Sequence, residues 1–240
     1  MRLSCCGSGS DGNCYILESD NEILLLDAGN SVKNVLININ WNISKISGVL
    51  VTHSHSDHYK YASEWKKRGI PVIAPFDSDK KLQTLKRGSC FSFKLIPLQD
   101  SQGRWVHSNS DGSECPNYGY YIQHPDMGSL IYATDCEFVK WKFKKVDHYL
   151  IEANYDLDEL NLDDDENKKS YVNRVFASHH SIQAACKFIE ANKDDCLKNV
   201  ILCHLSQDNG NPKRFKSMMQ EVVGDNVNVE VAKKGLEIEL

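Results

Sequence analysis

Apolar residues in this chain fall in short runs broken by polar turns rich in Gly, Asn, Asp and Ser, a pattern of many strands with a few helices between them. Residues 2–6, 14–18 and 22–26 read as the opening strands, the last two joined in a hairpin at Ser19-Asp20-Asn21. Further strands are expected over residues 49–52, 72–74, 90–98, 118–124, 129–134, 147–151, 199–203, 227–231 and 236–240. Helical spacing predicts helices over 32–39, 59–68, 77–86, 181–192 and 212–223. Gly69 and Pro71 stop the second of these, Ser181 suits the N-cap of the fourth, and Pro212 suits the first turn of the fifth. Residues 98–118 are polar and irregular, and the charged stretch 156–169 reads as a solvated loop or helix face. No tandem repeat or long linker interrupts the order. The two halves look alike, each with strands first and helices after. The expectation is one domain over residues 1–240, an α/β chain folded as a four-layer αββα sandwich with its functional loops at the strand ends.

Composition narrows the choice of partners. The chain has 240 residues, 41% hydrophobic and 25% charged, with a formal net charge of −5. That is an ordinary globular balance, and it excludes a strongly basic surface over the whole molecule. Nine cysteines show no C-x-x-C spacing, and several lie inside apolar runs. With no signal peptide and no apolar run of transmembrane length in view, the expectation is a reducing cytoplasm, no disulfide framework and no membrane partner.

The chemistry concentrates in Thr52-His53-Ser54-His55-Ser56-Asp57-His58, directly after the apolar run Gly48-Val49-Leu50-Val51. Three imidazoles and a carboxylate so close together are poor core residues unless they are paired or bind metal. His53 and His55 are two apart, so in an extended segment they point the same way. Asp57 and His58 follow as the chain turns, which suits two adjacent ions better than one. Imidazole and carboxylate favour zinc, with manganese, iron or nickel as alternatives. His107, Asp135 and His204 neighbour or end expected strands. His53, His55 and His107 are expected to hold one divalent ion, and Asp57, His58 and His204 the other, with Asp135 bridging. Asp27 closes an apolar strand ahead of Ala28-Gly29 and reads as an inward-facing support.

This series resembles the motifs of the metallo-β-lactamase fold: Leu26-Asp27-Ala28-Gly29, then Thr52 to His58, a lone His, Thr134-Asp135 and a late His. Within that superfamily the chain resembles the bacterial YycJ/WalJ group through Gly7-Ser8-Gly9-Ser10-Asp11-Gly12-Asn13-Cys14, Glu152-Ala153-Asn154 and His204-Leu205-Ser206-Gln207-Asp208-Asn209. The segments around His107 and Ser178-His179-His180-Ser181 depart from that group's pattern. The resemblance implies a dinuclear metal-dependent phosphodiesterase, a 5′-to-3′ exonuclease-like enzyme with DNA as its partner. Asp57 would orient the attacking water and accept its proton. Asp27 would fix ligand geometry from behind. His180 would contact phosphate or protonate the leaving group. A cyclic-nucleotide or other small phosphodiester hydrolase is the alternative that keeps the metals. A β-lactamase or thioester hydrolase and an oxygen-reducing diiron protein fit the ligand set less well. A non-catalytic metal-binding scaffold is the reading outside enzymes. Oligomeric state is not encoded in any of these features.

Overall fold

The computed structural model describes residues 1–77, 84–159, 178–207 and 209–240. Most of the expected helix over 77–86 and most of the charged stretch 156–169 lie outside them. Two six-stranded mixed sheets carry the fold. The first contains β1 (Arg2–Gly7), β2 (Cys14–Glu18), β3 (Ile23–Leu26), β4 (Ile46–Leu50), β5 (Val72–Ile73) and, at its outer edge, the C-terminal β12 (Glu237–Glu239). The second runs from β6 (Ser92–Pro97) through β7 (Tyr118–His124), β8 (Gly128–Ala133), β9 (His148–Glu152) and β10 (Asn199–Cys203) to β11 (Asn228–Val231). Each sheet joins antiparallel hairpin strands to parallel ones: β3 with β4 and β5, and β8 with β9, β10 and β11.

Alternation along the strands builds three apolar layers. Leu24 and Leu26 of β3, Tyr15 and Leu17 of β2, and Leu130 and Tyr132 of β8 face inward and form the core between the sheets. Ile23 and Leu25 face outward onto α1 (Val32–Asn38) and α3 (Ala62–Lys67), where Val35 and Trp65 meet them. On the far side, Tyr149 and Ile151 pack against α4 (Ile182–Asn192) and α5 (Pro212–Val223) through Phe188 and Phe215. The four-layer αββα sandwich read from the sequence is the observed architecture. Ser181 caps α4 by accepting from Ala184 N, and Asn211 caps α5 by accepting from Arg214 N.

One expected helix differs. The segment expected to be helical over 59–68 forms two short pieces, α2 (Ser56–Tyr59) and α3, and the first begins inside the His motif. Tyr61 N donates to Ala28 O at 2.9 Å, so docking onto the end of β3 takes the amide that would continue the helix.

The parallel strands end at one pole, where Asp27, His53, Asp135 and His204 gather. At the opposite pole the buried Glu22 carboxylate receives Ser47 Oγ, Ser89 Oγ, Cys90 N and His124 Nε2. Asp126 N donates to the other ring nitrogen of His124 at 3.1 Å.

Candidate metal centre

Three residues of the upper pole leave their strands through a left-handed turn. Asp27 follows β3 with φ +62°, Asp135 follows β8 with φ +52° and His204 follows β10 with φ +53°. None is glycine, so each turn stores backbone strain of about 1 kcal/mol or more, held in place by the packed sheets beneath. The turns redirect side chains that a straight strand would send elsewhere. The His motif is positioned differently, by backbone packing. Asn13 N and Ala28 N donate to the carbonyls of Asp57 and His58, both at 2.7 Å. Gly29 passes so close that a Cβ there would lie 1.6 Å from Asp57 O, and one at Gly12 would lie 2.4 Å from Gly29 O. Both positions therefore need glycine for close approach.

The expected site residues converge. His53, His55, His107 and Asp135 present donor atoms within 4.8 Å of one another, and Asp57, His58, Asp135 and His204 do the same. Asp135 belongs to both groups. The first sheet supplies His53, His55, Asp57 and His58, and the second supplies His107, Asp135 and His204.

The hydrogen bonds assign which ring nitrogen faces inward. His55 Nε2 meets Asn109 Oδ1 at 3.1 Å and His107 Nδ1 meets the Ser178 carbonyl at 3.2 Å, so both outer nitrogens carry hydrogen. That leaves two bare acceptors, His55 Nδ1 and His107 Nε2, facing each other at 3.0 Å. His53 sends Nδ1 to Thr52 Oγ1 at 3.0 Å, and its buried Nε2 has no hydrogen-bond partner. Three imidazole lone pairs converging without a donor fit a cation. In the second group His58 Nδ1 is held by Asp27 Oδ2 at 2.7 Å and His204 Nδ1 by Glu152 Oε1 at 3.1 Å. Their Nε2 atoms lie 3.3 and 3.4 Å from Asp57 Oδ2. Asn13 Nδ2 also touches His58 Nε2, at 2.9 Å, a donor that a cation would replace.

Charge is divided between the halves. Burial, aided by His58 and His107, pushes His53 well below the usual imidazole range, and burial brings His107 down to about 4. Burial would lower His204 too, but Asp135, Asp57 and Glu152 raise it to about 10. Burial alone would raise the carboxylates. Instead His204 and His58 hold both Asp135 and Asp57 below their usual range, and His179 and His204 hold Glu152 at about 2. Burial thus keeps His53 and His107 neutral, while contact with Cys115 raises His55, and the carboxylates across the site stay ionised; imidazole and carboxylate together are the donors that borderline divalent cations take.

Asp27 sits behind His58 and Thr52: it accepts from Thr52 N at 2.8 Å, from Thr52 Oγ1 and from the Tyr132 hydroxyl as well as binding His58. His180 does not reach the cleft. It is buried 6.5 Å from the Phe188 ring, burial pushes it down to about 4, and its Nδ1 has no partner. Its neighbour His179 lines the cleft instead. His179 Nδ1 meets Glu152 Oε1 at 2.7 Å, and its ring stacks on His204 at 5.3 Å. The turn into α4 makes this exchange, because His180 N donates to Glu152 Oε2 and turns the His180 ring inward. Glu152, Thr52, Tyr132 and Asn13 complete the site. Glu152, Thr52 and Asn13 lie within the motifs that the sequence offers, whereas Tyr132 carries no such signal.

The cleft above these residues has a volume of about 550 Å³ and is walled by Ser10, Asp11, Asn109, Ser178 and Gln207 besides the site itself. Among the described residues no helix is long and apolar enough to cross a membrane.

Fold, strained strand ends and paired donor groups define a metal-dependent hydrolase. The chain belongs to the metallo-beta-lactamase superfamily, whose family model matches residues 7–126. It is 26% identical over 238 residues to a protein named exodeoxyribonuclease YycJ from Bacillus anthracis, covering 93% of this chain and 89% of that one. It is also 26% identical to exodeoxyribonuclease WalJ from Streptococcus pneumoniae serotype 2, covering 87% of this chain and 83% of that one. Among solved structures, the metallo-beta-lactamase fold protein YhfI from Bacillus subtilis superposes with a TM-score of 0.66 at 16% identity, covering 100% of this chain and 99% of that chain.

Proposed function

We propose that this protein is a dinuclear phosphodiesterase that removes nucleotides from the 5′ end of DNA. The observation that carries the reading is the pair of donor groups sharing Asp135 at the floor of an open polar cleft. The similarity to proteins named exodeoxyribonucleases supports DNA as the substrate. His53, His55 and His107 would hold one ion and Asp57, His58 and His204 the other, with Asp135 between them and zinc the best match to the donors. Divalent cations there would polarise a phosphoryl oxygen and acidify the attacking water.

The protein's own groups supply the proton traffic. Asp57 faces the cleft with 18% of its side chain exposed, and it orients the water and takes its proton. The leaving-group role expected of His180 falls to His179. Glu152 holds His179 Nδ1, so Nε2 is the nitrogen open to substrate and the one placed to give a proton to the leaving group. Asp27 and Thr52 keep the imidazoles in the tautomers that face the ions.

The test is hydrolysis by metal-replete protein of 5′-phosphorylated single-stranded DNA, RNA and cyclic nucleotides in parallel. Stepwise release of nucleotides from the DNA 5′ end is expected. Hydrolysis of a cyclic nucleotide with no action on DNA would overturn the substrate. Absence of bound metal and of turnover on every substrate would overturn the enzyme reading and leave a scaffold.

A further inference from the structure

Beside the metal cleft lies a second polar groove of about 520 Å³. Lys60, at the end of the His motif, and Lys233 and Lys234, after β11, line it from places far apart in sequence. All three are exposed. Some other surface lysines lie against carboxylates: Lys66 on Asp77, Lys198 on Asp147 and Lys216 on Glu230, each at 2.9 Å. Among the described residues no carboxylate pairs with Lys60, Lys233 or Lys234, and Lys60 touches only the Tyr61 ring, at 5.5 Å. The one acid on the groove wall, Asp11, is engaged by Gln207 Nε2 at 3.1 Å. Asn30 and Asn34 also line the groove, but their amides bond Cys6 O and Asn30 Oδ1, which leaves the lysines to supply the grip.

The groove adjoins the cleft at two places. Asp11 lines both. A shallow depression between them shares Ser56 with the cleft and Lys60 with the groove. In a chain of net charge −5, three exposed lysines from two distant segments line this one channel. They line an open groove and do not converge on a buried point, which suits a chain of phosphates better than a single anion.

We infer that this groove binds the backbone phosphates of a single-stranded nucleic acid whose end lies in the metal cleft. The inference rests on the nuclease reading and adds where the body of the strand runs. Small phosphodiesters would fill the cleft without reaching Lys233 or Lys234.

The test is the KM for 5′-phosphorylated single-stranded DNA at several salt concentrations, comparing the metal-replete protein with its Lys233→Ala/Lys234→Ala variant. Loss of two phosphate contacts should raise KM roughly tenfold and reduce the slope of log KM against log salt by about 1.4. Lys233→Arg/Lys234→Arg should restore both, which a fold defect would not allow. DNA cleavage with KM and slope unchanged in the alanine variant overturns the groove and leaves the nuclease reading standing. No cleavage of DNA by the unaltered protein overturns both.

Discussion

Buried carboxylate–histidine networks stand at both poles of the sandwich, and they differ in one respect. At the lower pole every strong group is satisfied: Glu22 takes four donors, and both nitrogens of His124 are bonded. At the upper pole the outer nitrogens are satisfied in the same way, by Asp27, Glu152, Asn109 and Ser178, and the inner nitrogens of His58 and His204 meet Asn13 and Asp57, but those of the His53, His55 and His107 group have no such partner. His53 Nε2 is bare, and His55 Nδ1 and His107 Nε2 face each other. A buried polar group without a partner costs about 1–3 kcal/mol, so a closed network fastens a fold while an open one awaits a ligand. Candidate donors lie within 4.8 Å of one another at both poles, His, Asp and Glu at the upper and Glu22, Cys90 and His124 at the lower, so proximity alone does not separate the two; hydrogen-bond saturation does.

The strongest way to break this comparison is at Asp57. Asp57→Asn should cut turnover by about 10³-fold or more while much of the bound metal remains, read by kinetics and metal analysis together. Near-normal rates would remove Asp57 from the chemistry. His179→Ala should lower kcat by about 10²-fold, and least for substrates whose leaving group needs no proton. Asp27→Ala should weaken metal affinity by about 10- to 100-fold, measured by chelator competition, because His58 loses the partner that orients it. Glu22→Gln should behave in the opposite manner, lowering stability by about 1–2 kcal/mol in urea titrations with kcat unchanged. A collapse of turnover in that variant would erase the distinction between the poles.

The smallest effect separates adjacent histidines. Burial holds folded His180 at about 4, below the value of about 6.5 expected in the unfolded chain. Protonation therefore favours unfolding, and this contribution to stability is intact above about pH 6.5 and lost as pH falls toward 4. His180→Leu should flatten the acid limb of the stability curve in that window and leave turnover within about twofold. An unchanged acid limb would mean that His180 titrates without burial.

Strand and helix positions were legible because alternation and caps are local: β2, β10, α4 and α5 fall where residues 14–18, 199–203, 181–192 and 212–223 were read. The His motif was legible because its donors are contiguous. His107, Asp135 and His204 could be placed beside it only through their strand-end context. The choice between His179 and His180 was not legible, since one turn before α4 decides which ring faces the cleft. The split of the 59–68 helix was hidden for a similar reason: the Ala28 carbonyl that interrupts it is distant in sequence.

The donors come from both sheets, with His53, His55, Asp57 and His58 on one side and His107, Asp135 and His204 on the other. Ions held between them would act as rivets across the sandwich, linked to folding by mass action. Each site at a free ion concentration about 100 times its dissociation constant would add roughly 2.7 kcal/mol to stability. The melting temperature of this protein would then report the availability of cations in its surroundings, and a cell short of the ion would lose folded protein along with activity.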